Sequence, residues 1–306
     1  MAVTISETIN KANQAVLNGD QLTHLSQYGN IYLFDTISST QEYAKKLAKT
    51  GYQTDANQKD LMHIRSIVIA NKQTSGLGRH GRQWYSSEQG LHFSIVLTYP
   101  KKHISISIWT LLTAKIIAET LERISSVPIF IKWPNDLVCL RHDVNDYRKI
   151  GGTLTDIKSS GSIFHSASSV SNIIIGIGIN INQTAFPPEI SQATSLRQEL
   201  ILSRNINEEL NRGEILYKIV ENIAKNLLTY QTFAQDTTDS ALNMGVFDDI
   251  KQRSIVIGKK VVVNRRMRSV SGTVLDIDEQ GRLVIRTDAP RIVVIDSGQI
   301  NQINNI

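Results

Sequence analysis

Between two apolar runs, Ser66–Ala70 and Leu91–Thr98, the chain reads QTSGLGRHGRQW over Gln73–Trp84. The flanking runs predict strands, so this segment is a strand-to-strand loop. That context excludes a P-loop and a dinucleotide GxGxxG turn, both of which lead into a helix. Three glycines (Gly76, Gly78, Gly81) give the backbone access to positive φ and let N–H groups approach a ligand. Arg79, His80 and Arg82 add charge, and arginine bonds phosphate or carboxylate bidentately. The loop is therefore read as an anion cradle closed by Trp84. A solvated Gly/Arg turn is the competing interpretation of the loop taken alone.

At 306 residues the chain is long enough for more than one domain. Its 41% hydrophobic and 20% charged residues describe an ordinary soluble protein. No apolar run approaches the ~18 residues of a membrane helix. The N-terminus MAVTISETINKANQ lacks a basic region followed by an apolar core, so no secretory signal is expected. The one cysteine, Cys139, excludes an internal disulfide and points to the reducing cytoplasm. It sits in an alternating apolar pattern and is expected to be a buried small hydrophobe. The net charge of +5 suits nucleotide or acidic partners and also permits DNA binding.

Residues 4–18 read as a short helix ended by Gly19, and Ile31–Phe34 as a strand. Asp35–Gln41 leads into a helix over Glu42–Lys49, where Ser39 or Thr40 can act as N-cap. Ser105–Ile124 carries an apolar stripe at helical spacing and is expected to cover a sheet face. Pro128–Leu140 begins a hairpin with a charged tip, Arg141–Arg148, and a returning strand, Lys149–Ile157. Ile173–Ile181 is the next strand; its glycines suggest a backbone running close beneath a ligand. Residues 183–205 read as irregular and Asn207–Tyr230 as a long amphipathic helix. From about Ser254 short strands follow (Val261–Asn264, Ser269–Asp276, Arg282–Thr287, Ile292–Ile295), with Gly272 and Gly281 placed in turns. This end is basic but has no aromatic stacking platform, which argues against single-stranded nucleic acid.

Four further motifs follow one another in a fixed order around the loop: SSTQ at Ser38–Gln41, KWPND at Lys132–Asp136, KIGG at Lys149–Gly152 and GIGIN at Gly176–Asn180. Together with the Gly/Arg loop, over roughly residues 30 to 300, this series resembles the biotin protein ligases. Each motif is weak alone; the ordered series is specific.

The resemblance implies an α+β fold: a mixed β-sheet catalytic domain with helices packed on it (1–253) and a small SH3-like β-barrel C-terminal domain (254–306). It implies an ATP-dependent ligase that makes biotinyl-5'-AMP and transfers biotin to a lysine of the biotin carboxyl carrier protein of acetyl-CoA carboxylase. Magnesium is expected to share the triphosphate charge, with no metal-binding residues in the protein itself. Ser39, Thr40 and Gln41 are implied at biotin's ureido ring, with Gln41 where asparagine is usual. Gln73 is implied at the valeryl end, and Leu77, Gly78 and Arg79 fold over the ligand. Gly76, Arg79, Arg82, Lys132, Asn135 and Asn180 fall to ATP and the adenylate. Lys149 is implied at the carboxyl or α-phosphate group, and Asp136 as the acceptor of the target lysine's proton. Catalysis is thus placed on Arg79, Lys132, Asp136 and Lys149, with Trp84 and Trp133 as pocket walls. Leu77 departs from the family, which often has arginine there, and the cradle carries less charge as a result.

Many members of this family carry an N-terminal winged helix-turn-helix, which needs roughly 50 to 60 residues. Only about 30 precede the first expected strand, so no DNA binding is expected. A homodimer is left open. Two other readings stand beside the first: a lipoate–protein ligase, and a DNA-binding repressor.

Overall fold

The structure is a computed structural model that describes residues 16–49, 62–99, 105–141, 146–160, 170–235, 240–265, 268–289 and 291–304. The chain divides into two compact units. The first comprises Met1–Ile104, Thr153–Ala185 and Ser195–Asp236; the second comprises Ser105–Gly152, Phe186–Thr194 and Thr237–Ile306.

In the first unit, β1 (Asn30–Ile37) pairs in parallel with β2 (His63–Gln73). β2 pairs antiparallel with β3 (Gly90–Tyr99), and β3 antiparallel with β7 (Val170–Asn180). The later part of β6 (Tyr147–Ser160) neighbours β7. The sheet is therefore mixed, as expected. β2 and β3 are buried along almost their whole length, which is what near-continuous apolar runs require when both faces are covered. Helix α2 (Thr40–Lys49) places Ala44 and Ala48, one helical turn apart, against Val68, Val96 and Ile174. Its lysines Lys46 and Lys49 fall in the last turn, where they complement the helix dipole. Helix α5 (Arg212–Gln235) packs on β2 and β3, and α1 (Gly19–Ser26) packs on α5.

In the second unit, β4 (Phe130–Lys132) and β5 (Asp136–Leu140) form a hairpin, and β5 pairs antiparallel with the start of β6. Helix α3 (Ile106–Ser125) packs on β4, β5 and α6 (Ser240–Arg253). Ser105 caps α3 by accepting from the Ile108 N–H, and Ser126 ends it in the left-handed conformation. Five strands make a separate antiparallel sheet in the order β11-β10-β9-β8-β12. They are β8 (Lys260–Asn264), β9 (Ser269–Ile277), β10 (Leu283–Thr287), β11 (Ile292–Ile295) and β12 (Gln299–Asn304).

Several expectations are corrected. Gly19 opens helix α1 instead of ending a helix: Asn18 caps it in a reciprocal capping box with Gln21. The expected helix over residues 4–18 lies mostly outside the described residues, as does part of the 141–148 tip. The segment 183–205 is not wholly irregular, because Leu196–Arg204 forms α4, capped by Ser195 and ended by left-handed Asn205. Gly272 lies inside β9, not in a turn; Gly281, at φ 73°, does sit in one. Cys139 is buried, as its alternating pattern required.

Candidate active site

In the first unit the SSTQ motif is a strand-to-helix turn. Ser39 Oγ accepts from the Glu42 N–H at 3.4 Å, so Ser39 acts as the cap of α2. Thr40 N–H and Thr40 Oγ1 both reach Gln73 Oε1, at 2.8 and 3.1 Å. Thr40 Oγ1 also lies 2.9 Å from Ser94 Oγ. Gln73 Nε2 donates to Ser86 Oγ at 2.9 Å. Thr40 and the first residue of the cradle, Gln73, thus belong to one hydrogen-bonded cluster.

Gln41 is buried behind Thr40. Its Nε2 faces Asp156 Oδ2 at 2.9 Å, Leu154 O at 3.2 Å and Ile174 O at 3.3 Å. Its Oε1 accepts from Ser94 Oγ at 3.1 Å. The GIGIN strand makes room for this. A Cβ at Gly176 would fall 2.6 Å from Gln41 Oε1, and one at Gly178 would fall 2.6 Å from the Trp84 indole. Both glycines therefore accommodate protein side chains, the Gln41 amide and the closing Trp84. Asn180, at the end of the same strand, is buried and accepts from Gln183 Nε2 at 3.3 Å.

The cradle closes on itself as a small hairpin. Gly78 N–H donates to Arg82 O and Trp84 N–H to Gly76 O, both at 2.8 Å, and Leu77 bridges Gln83. The positive φ expected of its glycines is found at Gly81 (75°) and also at His80 (58°), whereas Gly78 is extended at φ −112°. Gly76 is required for close approach: a Cβ there would fall 2.7 Å from the Trp84 carbonyl. Arg79 is half-buried and Arg82 exposed, with Arg82 Nε 3.4 Å from Arg79 O.

In the second unit, Lys149 Nζ lies 2.5 Å from Asp136 Oδ1 across the β5–β6 pair. The Lys149 backbone is fixed from its other side, donating to Gln192 O and accepting from Thr194 N–H. Gly152 leaves room beside this pair, since a Cβ there would meet Asn135 O at 3.3 Å and Asp136 Oδ1 at 3.6 Å. Lys132 Nζ donates to Tyr147 Oη at 2.9 Å. Trp133 is buried and donates to Gly281 O at 3.0 Å, which ties the KWPND turn to the C-terminal strands.

Comparison with known proteins places these motifs. A family model described as "Biotin/lipoate A/B protein ligase family" matches residues 33–180, and one described as "Biotin protein ligase C terminal domain" matches 256–300. The bifunctional ligase/repressor BirA of Bacillus spizizenii is 30% identical over 263 residues, covering 83% of this chain and 68% of that protein. The chain belongs to the biotin protein ligase family. A biotin–[acetyl-CoA-carboxylase] ligase of Mycobacterium tuberculosis is 24% identical over 76% of this ligase-family chain and 77% of its own length. The solved biotin protein ligase of Aquifex aeolicus in complex with biotin and ATP is similar with a TM-score of 0.65 at 25% identity, covering 92% of this chain and 100% of that one.

The structure also brings in residues that the motifs did not name: Ser86, Ser94, Tyr147 and Asp156. Ser94 left a signal, as a lone hydroxyl inside the apolar run LHFSIVL. Tyr147 and Asp156 left none beyond their closeness in sequence to Lys149.

Proposed function

We propose that the chain is an ATP-dependent biotin protein ligase that activates biotin as biotinyl-5'-AMP and transfers it to a lysine of the biotin carboxyl carrier protein of acetyl-CoA carboxylase. The observation that carries this assignment is the Lys149–Asp136 contact of 2.5 Å. It pairs a cation for the first chemical step with a carboxylate for the second. Family membership supports the substrate.

A carboxylate is a poor acyl donor until its oxygen is made a leaving group. In the first step a biotin carboxylate oxygen attacks the α-phosphorus of ATP, and the bond to pyrophosphate breaks. Two unit negative charges at about 4 Å repel by about 4 kcal/mol at an effective dielectric constant near 20. Cations and oriented N–H groups must offset that repulsion in the transition state. Arg79 and Arg82, with the backbone of Leu77 and Gly78, are assigned to this role, as are Lys149, Lys132 and Asn135. Magnesium bound to the triphosphate shares its charge. Asn180 lines the adenylate side and Gly76 holds the loop's entry. Ser39, Thr40, Gln41 and Gln73 form the biotin end.

In the second step the neutral amine of the target lysine attacks the acyl carbon, AMP leaves, and one proton must be lost. Once the Lys149 ammonium turns to the ligand's anionic oxygens, the Asp136 carboxylate is released to accept that proton. The C-terminal residues 254–306 are proposed as a domain distinct from 1–253, supported by their separate sheet and their own family match.

The test is adenylate formation with biotin or lipoate, ATP and magnesium. Biotinyl-AMP without lipoyl-AMP supports the proposal; the reverse makes the chain a lipoate ligase. Tight, sequence-specific binding to an operator without adenylation would make it a repressor.

A further inference from the structure

The hydrogen bonds behind Thr40 have a forced direction. Three acceptors surround Gln41 Nε2: the Asp156 carboxylate and the carbonyls of Leu154 and Ile174. Only the NH2 end of the amide can stand there, because the carbonyl end would face three lone-pair groups. Gln41 Oε1 is thereby fixed toward Ser94, whose single hydroxyl proton goes to it at 3.1 Å. With that proton committed, Ser94 can only accept from Thr40, 2.9 Å away. The other neighbour of Thr40 Oγ1 is Gln73 Oε1, which already accepts the obligate Thr40 N–H donor at 2.8 Å and so is also an acceptor. Whichever of the two takes it, the Thr40 proton is spent inside the protein. What Thr40 offers outward is lone pairs only.

From this we infer that Ser94, Gln41 and Asp156 are positioning residues that commit the Thr40 hydroxyl as a hydrogen-bond acceptor, so that the pocket selects a ring bearing an N–H donor and rejects the same ring with that nitrogen blocked. The inference rests on the proposed function for the identity of the ring, a cyclic urea. Asp156 anchors the chain with a full negative charge and is itself paired with Lys45 Nζ at 3.1 Å. Gly176 is part of the same device, since any side chain there would collide with the Gln41 amide. Discrimination of this kind is strong because the wrong ligand leaves a buried acceptor unpaired.

The test compares binding of biotin with binding of biotin methylated at its ureido nitrogens, by calorimetry on the full chain. Three proteins are used: unsubstituted, Ser94→Ala and Ser94→Thr. A partial folding defect lowers the active fraction equally for both ligands and leaves the ratio of dissociation constants unmoved. The unsubstituted protein is expected to prefer biotin by about a hundredfold or more. In Ser94→Ala only Gln73 Oε1 is left to hold the Thr40 proton, the hydroxyl is less firmly oriented, and the preference is expected to fall about tenfold. Ser94→Thr keeps the hydroxyl and is expected to restore it. An unchanged ratio in Ser94→Ala, with biotin still bound by the unsubstituted protein, overturns the inference alone. Failure of the unsubstituted protein to bind biotin overturns the functional assignment and the inference with it.

Discussion

Lys149 Nζ and Asp136 Oδ1 lie 2.5 Å apart, with both side chains partly open to solvent. The pair is held across two adjacent strands, and the Lys149 backbone is bonded on both sides of its peptide. Its ammonium is thus placed by the sheet and not by a loop. Lys149→Ala is expected to lower the rate of adenylate formation by about 10²–10³, the usual loss when one charged donor to a developing anion is removed. Single-turnover adenylation measures it directly, and a near-normal rate would remove Lys149 from the chemistry.

Gly178 faces Trp84, and a methyl group there would fall 2.6 Å from the indole. Gly178→Ala is expected to push Trp84 outward, loosen the cradle, and raise the KM for biotin about tenfold or more, consistent with an overpacking cost of about 1–3 kcal/mol. Trp84→Phe removes the colliding ring atoms. The double variant should therefore bind better than Gly178→Ala alone. If the second substitution makes matters worse, the contact is not the cause.

His92 is fully buried beside Ser87 and Arg212. Burial is the main cause that lowers its pKa to about 4; the Ser87 carbonyl opposes this and Arg212 adds to it. The folded protein thus holds the imidazole neutral while the unfolded chain, near 6.5, takes up a proton. Stability is present in full above about pH 6.5 and falls as the pH drops toward 4, by up to about 3 kcal/mol. Urea unfolding at pH 7 and pH 4.5 should show this slope, and His92→Gln should flatten it. An equal slope in both proteins would assign the acid sensitivity elsewhere.

Arg79 follows the extended Gly78 and is the cradle's half-buried arginine, whereas Arg82 is exposed. Leu77 carries no charge to share its load. Arg79→Gly is expected to form biotinyl-AMP yet release it faster, since lost contacts to a bound species act mainly on dissociation. Free adenylate would acylate lysines of a bystander such as albumin. Bystander labelling no greater than with the unsubstituted protein, at intact adenylation, would show that Arg79 is not the latch.

Much of the fold was legible because its elements have clean periods. The helix expected over Ser105–Ile124 is Ile106–Ser125, and the strand expected over Ile173–Ile181 is Val170–Asn180. α4 was missed because its nine residues bury few side chains and follow a Pro-Pro turn, although its Ser195 cap was readable. α6 was missed for want of an apolar stripe; Phe247 and Ile250 are its buried anchors. At the site, motif order gave the residues but not their partners. The Ser94–Gln41 bond joins positions 53 apart and the Gln41–Asp156 bond positions 115 apart. Sequence-local patterns cannot report such pairings; the packing of α2 on the sheet brings them together. Of the glycines of GIGIN, Gly176 leaves room for Gln41 and Gly178 for Trp84, and no local pattern names those partners.

The most direct test of the ligase assignment is transfer. The full chain is incubated with biotin, ATP, magnesium and a biotin carboxyl carrier domain, and the product is weighed by intact mass spectrometry. One added biotinyl group on the carrier domain is expected, dependent on ATP, and it is expected to be lost in Asp136→Asn under conditions where adenylate still forms. An unmodified carrier domain in the presence of all four components would contradict the assignment.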